Sequence, residues 1–250
     1  MKTAFLKATK AIRRIVVPGT LGLMALLLVA HFTWKYSGSN EWKLVKEENG
    51  VRVFTLKSPG STLLKVKADM RVKTSLSSAV YLLRGGQKTV EDFGGKDFKE
   101  MDVVDSADLY LAYYSVKHVM PPPFSTKELV VLLNYAQDKQ SKEVVINVQA
   151  APSKTPPSAD AVRITHLNNI FRVTPLPGGE VNWEVILDVD MGVAYPLANL
   201  SMPDYLFQDL TKHKKLVLTE KYQNARMASV QELEESHIDQ LSMNLGERLQ

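Results

Sequence analysis

Pro121-Pro122-Pro123-Phe124-Ser125-Thr126-Lys127-Glu128 runs directly into the apolar stretch Leu129 to Leu133. Proline locks φ and offers no N–H, so three in a row end the strand-like segment Leu109 to Val119, and the chain must re-enter a sheet at Glu128. The stretch reads as a rigid corner between two strands, with Lys127-Glu128 as an ion pair at the corner. Leu129 to Leu133 has no polar side chain on either face. Across the corner, Tyr110, Ala112, Tyr114 and Val116 alternate with Leu109, Leu111 and Tyr113. A strand that is apolar on both faces is covered on both or borders an internal cavity, and the pattern leaves the two open.

Outward from the corner, the chain reads as antiparallel strands. Glu41 to Glu47 and Val51 to Lys57 flank Asn49-Gly50, a hairpin signal because both residues tolerate φ > 0. From Leu63 to Lys73, Leu64, Val66, Ala68, Met70 and Val72 share one face and charged residues the other, the pattern of a half-buried strand with a solvated outer face. Ser75 can cap a short helix bearing Leu76, Ala79, Val80 and Leu83 that stops at Gly85-Gly86. Further strands are predicted at Lys99 to Asp105, Glu128 to Tyr135, Glu143 to Ala150, Ala161 to Leu167, Ile170 to Thr174 and Val181 to Asp190, with loops at Pro152 to Asp160 and Asp190 to Ser201. An amphipathic helix follows from about Pro203 to Gln223, and residues 224–250 read as a polar or helical tail.

Five of the 31 Lys and Arg residues fall in the first 14 positions, leaving 26 against 27 acids. The remainder gives no electrostatic case for nucleic acid. Ile15 to Trp34 carries no Asp, Glu, Lys or Arg over 20 residues, and such a helix spans roughly 30 Å, the thickness of a bilayer's hydrocarbon core. The basic residues 1–14 place the N-terminus in the cytoplasm, 15–34 become a transmembrane signal anchor, 35–40 a linker, and 41–223 a domain on the non-cytoplasmic side. The competing reading is a cleaved signal peptide and a secreted protein. Leu28-Val29-Ala30 and Ser37-Gly38-Ser39 make poor cleavage sites, the first bulky and the second late.

No nucleophile elbow, phosphate-binding loop, dinucleotide fingerprint or His-Glu-x-x-His helix occurs. The chain has no cysteine, which excludes disulfides and thiolate chemistry, and His31, His118, His166, His213 and His237 are widely spaced. No metal and no cofactor is expected.

The corner resembles that of START (steroidogenic-acute-regulatory-related lipid-transfer) domains, where a Pro-rich turn and Arg-Asp open a buried strand. Lys127-Glu128 keeps that charge order. Val162-Arg163, His166, Thr174-Pro175-Leu176, Trp183, Asp188, Gly192, Pro196 and Asn199 are similar, in order, to the end-strands and final loop of that family. The likeness covers about Trp42 to Tyr222 and implies an α+β helix-grip fold, a curved antiparallel sheet wrapped around a long C-terminal helix, here preceded by one transmembrane helix.

The same resemblance implies a tunnel for one lipid or other hydrophobic ligand and no covalent chemistry. Its inner wall would hold Tyr110, Tyr114, Val116, Leu129, Val131 and Leu133, with His166 and Leu187 facing the same space and Leu206, Leu210 and His213 on the helix. Sterol-binding relatives carry an acid and a base at positions matching Tyr114 and Leu133, so the resemblance here implies a more apolar pocket. The expected function is a membrane-anchored domain that binds and transfers such a ligand, its other partner being the bilayer. The alternatives are a helix-grip enzyme of cyclase or hydrolase type using His166 with Tyr114, and a tethered adaptor whose groove holds a protein helix.

Overall fold

The computed structural model describes residues 2–84, 86–105 and 110–233. They form two compact units: residues up to Glu41 with Leu56–Leu64, and Trp42–Thr55 with the residues from Lys65 onward.

In the first unit, α1 (Lys2–Tyr36) contains the apolar segment Val16–Tyr36, long and apolar enough to cross a bilayer. Its end is tied to the 56–64 loop. Trp34 Nε1 donates to the Thr62 carbonyl at 2.8 Å, and the Gly60 N–H donates to the Lys35 carbonyl at 2.8 Å. Lys57 Nζ donates to the carbonyls of Lys35 (3.2 Å) and Ser37 (3.0 Å) and lies 5.3 Å from the Trp34 ring centroid. A cation belongs at the negative end of a helix, where the last carbonyls have no intrahelical donor.

The second unit is built on one sheet. Its strands are β1 (Trp42–Glu48), β2 (Val51–Leu56), β3 (Lys65–Val72), β4 (Gly95–Asp105), β5 (Tyr110–His118), β6 (Lys127–Gln137), β7 (Val144–Ala150), β8 (Val162–Arg163), β9 (Asn168–Leu176) and β10 (Glu180–Leu187). The order is β1-β2-β3-β10-β9-β7-β6-β5-β4, with β8 alone on the side of β6. The β1–β2 turn has positive φ at Asn49 (53°) and Gly50 (74°), as the Asn-Gly signal predicts. Val66, Ala68, Met70 and Val72 are buried, and the charged face of β3 is laced with ion pairs: Lys65–Asp188 (2.6 Å), Lys67–Glu184 (3.5 Å) and Arg52–Asp69 (2.8 Å).

Four helices complete this unit: α2 (Leu76–Arg84), α3 (Gln87–Asp92), α4 (Tyr195–Val217) and α5 (Glu220–Gln223). Ser75 Oγ accepts the Ser78 N–H at 3.1 Å, the predicted cap of α2. The α2 N-terminus also receives the Glu232 carboxylate, which accepts the N–H groups of Leu76 (2.9 Å) and Ser77 (2.8 Å). Residues 224–233 are thus held to the domain, with Met227 and Val230 buried and Ser229 hydrogen-bonded to Tyr135 at 2.6 Å. Residues 234–250, the rest of the expected tail, and Leu109 lie outside the described residues.

Several boundaries differ from expectation, and the final helix, expected to reach Gln223, ends at Val217. The final helix begins at Tyr195 rather than Pro203, because Pro196 occupies its first turn; Pro203 sits inside it and removes one N–H from the ladder. The strand expected over Ala161 to Leu167 shrinks to Val162–Arg163, since β7 occupies that side of β6 from Val131 onward. The Gly-rich stretch after α2 yields α3, and Gly95 lets Val90 and Val116 meet, because a Cβ there would collide with both.

The corner at residues 121–128, which contains a cis Pro122–Pro123 bond, turns Lys127 and Glu128 to opposite faces of β6. They form no ion pair with each other. Glu128 Oε2 instead accepts Arg163 Nε at 2.9 Å and the Ser158 N–H at 3.0 Å. Arg163 also donates to the carbonyls of Pro152, Thr155 (3.0 Å) and Pro156 (2.9 Å), so the proline-rich loop is fixed by one guanidinium. Both partners are nearly inaccessible, with side-chain exposures of 7% and 8%. Burial would push the Glu128 carboxyl up, but the Arg163 guanidinium and the Ser158 N–H outweigh it and hold it below its ordinary value of 4.5.

Arg163→Ala leaves a buried carboxylate without its cation and is expected to cost about 3–5 kcal/mol in denaturant unfolding. Glu128's share of stability is fully present above pH 4.5 and is lost as pH falls through its lowered folded value. An acid titration of Arg163→Met/Glu128→Leu should therefore lack that part of the parent's decline.

Candidate functional site

The antiparallel register of β5 and β6 sets the site. Tyr110 faces Tyr135, Ala112 faces Leu133, Tyr114 faces Val131, Val116 faces Leu129, and His118 faces Lys127. Alternation places these ten side chains on one face. The six wall residues expected on these strands are therefore neighbours: Tyr110, Tyr114, Val131 and Leu133 are buried, and Val116 and Leu129 half-buried. Leu187 ends the inner row of β10, Val181-Trp183-Val185-Leu187. Leu206 and Leu210 on α4 are fully buried in the same apolar cluster.

Aromatic rings organise the wall. The Tyr110 and Tyr114 hydroxyls hydrogen-bond to each other, Tyr135 stacks on Tyr110 at 5.2 Å between centroids, and Phe98 stacks on Tyr114 at 5.2 Å. Burial first, and then the Tyr110 hydroxyl, push the Tyr114 phenol well above its ordinary range, so it stays protonated. Phe98 also lines a pocket of about 380 Å³ with Gln87, Glu91, Gly95, Lys96 and Asp97, at the edge formed by α3 and β4.

His213, expected on the helical side, is buried there. Its ring stacks on Phe93 at 4.2 Å and stands nearly edge-on to Trp183 at 5.4 Å. Its Nδ1 lies 2.9 Å from the Asp209 carbonyl oxygen, within hydrogen-bonding distance. Trp183 is fully buried, yet its Nε1 has no hydrogen-bond partner among the described residues.

His166 does not join the wall. Its side chain is 58% exposed and its Nε2 lies 2.9 Å from Asp188 Oδ1. The physical reason is the shortness of β8: the strand ends at Arg163, so no alternation carries residue 166 inward. Tyr114 and His166 are committed to Tyr110 and Asp188 respectively, and the acid–base pair envisaged for an enzyme is not formed.

Lys127 and His118 were not expected on this wall, although continuing the 110–116 and 129–135 alternations by one step reaches both. His118 lies deep enough that burial pulls its imidazole below the ordinary value, against a smaller opposing pull from the Asp209 carboxylate. Among the described residues no group of three or more His, Asp or Glu side chains is placed to hold a metal ion.

No family model and no curated protein matches the sequence. Solved structures do match. A STAR-related lipid transfer protein fragment from Xanthomonas axonopodis superposes with a TM-score of 0.65 at 19% identity, over 71% of this chain and 99% of that one. Human STARD10 gives 0.61 at 16% identity, over 76% and 78%. Human StAR-related lipid transfer protein 5 gives 0.58 at 16% identity, over 82% and 97%. The chain thus has the START-like helix-grip fold, a large antiparallel sheet with a long C-terminal helix, and carries an apolar N-terminal helix besides.

Tyr114→Phe removes one hydroxyl from the paired phenols and leaves the other without its buried partner. Urea unfolding should show a loss of about 1 kcal/mol with an unchanged m-value, the worth of one hydrogen bond.

Proposed function

We propose that this chain is a membrane-anchored carrier that binds a lipid or similar hydrophobic molecule between the inner face of its sheet and α4. One observation carries the reading: an apolar inner face that holds a buried indole N–H with no acceptor. Buried donors are paired in nearly all native interiors, and the Trp183 indole lies on the row that meets α4 through His213. A ligand carbonyl or hydroxyl seated there would supply the acceptor. Two of the similar structures carry lipid transfer in their names, which supports the same class of ligand.

The wall residues have the roles that the resemblance implies. Leu133, Val131, Leu206 and Leu210 contact hydrocarbon, and the Tyr110–Tyr114 pair supplies hydroxyls. Burying roughly 300 Å² of apolar ligand surface contributes about 7 kcal/mol before ordering costs. Access runs past the 190–194 segment and the start of α4. The Pro152 to Asp160 loop is a poor gate, because Arg163, Glu128 and Lys117 all bind it. By contrast, Leu197 and Leu200 of α4 are exposed.

The N-terminal helix is the tether, with its basic end in the cytoplasm and the domain across the bilayer. Its contacts within its own unit support an uncleaved anchor. Cleavage between Trp34 and Asn40 would remove Trp34, or Trp34 and Lys35 together, and strip the 56–64 loop of groups it binds. A helix held near one membrane exchanges ligand with that membrane.

Full-length protein extracted in a non-ionic detergent should carry one co-purifying amphiphile per chain in native mass spectrometry. Its intact mass should place the start at Met1 or Lys2. Leu133→Glu, which puts a carboxylate on the apolar wall, should abolish the bound mass, whereas a parent chain that never carries a ligand would end the carrier reading. A product starting between His31 and Asn40 would make the protein secreted.

A further inference from the structure

Lys127 is only 4% exposed, and among the described residues its Nζ makes no hydrogen bond and no ion pair. Carboxylates of the neighbouring strands and loops have other partners. Glu128 is on the opposite face with Arg163; Asp97 and Asp160 hold Lys117; Asp188 holds Lys65 and His166; Asp190 accepts the Gly192 N–H; Asp209 lies 3.4 Å from His213. Lysine is almost never fully buried unless paired, because removing an ammonium from water without a counter-charge costs several kcal/mol. Among the described residues no anion is placed against it.

The position of this cation indicates which anion. Lys127 opens the row Lys127-Leu129-Val131-Leu133 on the face of β6 that also carries the Tyr114 and Val116 neighbours of β5. At about 3.4 Å per residue, the distance from Lys127 to Leu133 is roughly 20 Å. One acyl chain spans half of a hydrocarbon core that is about 30 Å thick, roughly 15 Å, so the row is long enough to match such a chain. His118 sits across from Lys127, and Gly192, at φ +65°, lies close by: a Cβ built on it would come within 3.5 Å of Nζ. The ammonium therefore stands at the loop end of an apolar track.

We propose that Lys127 is the headgroup site of the carrier and that its ligand is an anionic amphiphile, a carboxylate or phosphate seated at Nζ with its acyl chain along Leu129, Val131 and Leu133. The inference rests on the carrier reading and specifies its ligand class. His118 contributes a second polar contact to the head.

The test uses the full chain in non-ionic detergent, stripped of lipid, and compares two matched pairs by native mass spectrometry: oleate against oleyl alcohol, and phosphatidylglycerol against diacylglycerol. The charged member should bind about tenfold or more tightly, the value of a charge-assisted hydrogen bond. The pair with the larger ratio identifies the head as carboxylate or phosphate. Lys127→Met, which replaces a buried ammonium with an apolar chain of similar length, should erase the preference without weakening oleyl alcohol, while Lys127→Arg should keep it. Equal binding within both pairs by the parent overturns the proposal without needing any variant, and so does a preference that survives Lys127→Met. In either case, retained binding of the neutral probes leaves the carrier reading standing; binding of none of the four removes both.

Discussion

Everything on the inner wall depends on the direction in which one dipeptide is turned as β6 begins. Strand geometry sends Lys127 and Glu128 to opposite faces, and Arg163 waits on only one of them. A one-residue slip of β6 would bring Lys127 against that guanidinium and drive Glu128 onto the apolar wall. Both changes are costly, since like charges would meet out of water and an acid would lose its cation. The Arg163–Glu128 pair thus acts as a register lock. Its guanidinium also gathers the carbonyls of Pro152, Thr155 and Pro156, so the lock and the proline-rich loop form one object. The cross-strand pairs from Tyr110–Tyr135 to His118–Lys127 follow from that register.

Much of the fold is legible because its signals are local. Asn49-Gly50 demands positive φ, Ser75 offers an oxygen to a helix start, and the 64–72 alternation can bury only one face. The wall residues of β5 and β6 are legible for the same reason, being period-2 neighbours in two adjacent strands. The start of α4 is not, because Pro196 and Pro203 are equally good first-turn prolines and only tertiary context chooses between them. His166 was misplaced because its direction depends on the length of β8, which β7 sets by occupying the edge of β6. The corner pair was misread because adjacent opposite charges look complementary in a sequence, whereas a strand separates them.

The N-terminal unit is a separate piece of chemistry. A helix end leaves carbonyls without intrahelical donors. Here the Gly60 N–H and the Lys57 ammonium supply donors to Lys35 and Ser37, and the Trp34 indole is satisfied by Thr62. Gly38, at φ +119°, is needed for the close approach, since a Cβ there would collide with the Lys57 backbone. The segment expected as a linker over 35–40 is therefore bonded to the 56–64 loop of its own unit.

A lone cation at one end of an apolar track would give the proposed carrier a direction. Hydrocarbon alone would let an acyl chain enter either way, because area burial is non-directional. Adding one buried charge makes one orientation better by the strength of a charge-assisted bond and leaves the other with both the ammonium and the ligand head unpaired. The same charge also bears on capture. On the proposed reading the ammonium of the empty carrier has no counter-ion among the described residues, which would favour capture of an anionic head. Gly192 beside it carries no side chain, and a Cβ there would lie 3.5 Å from Nζ. On that reading affinity would be concentrated at the loop end, next to the exposed start of α4.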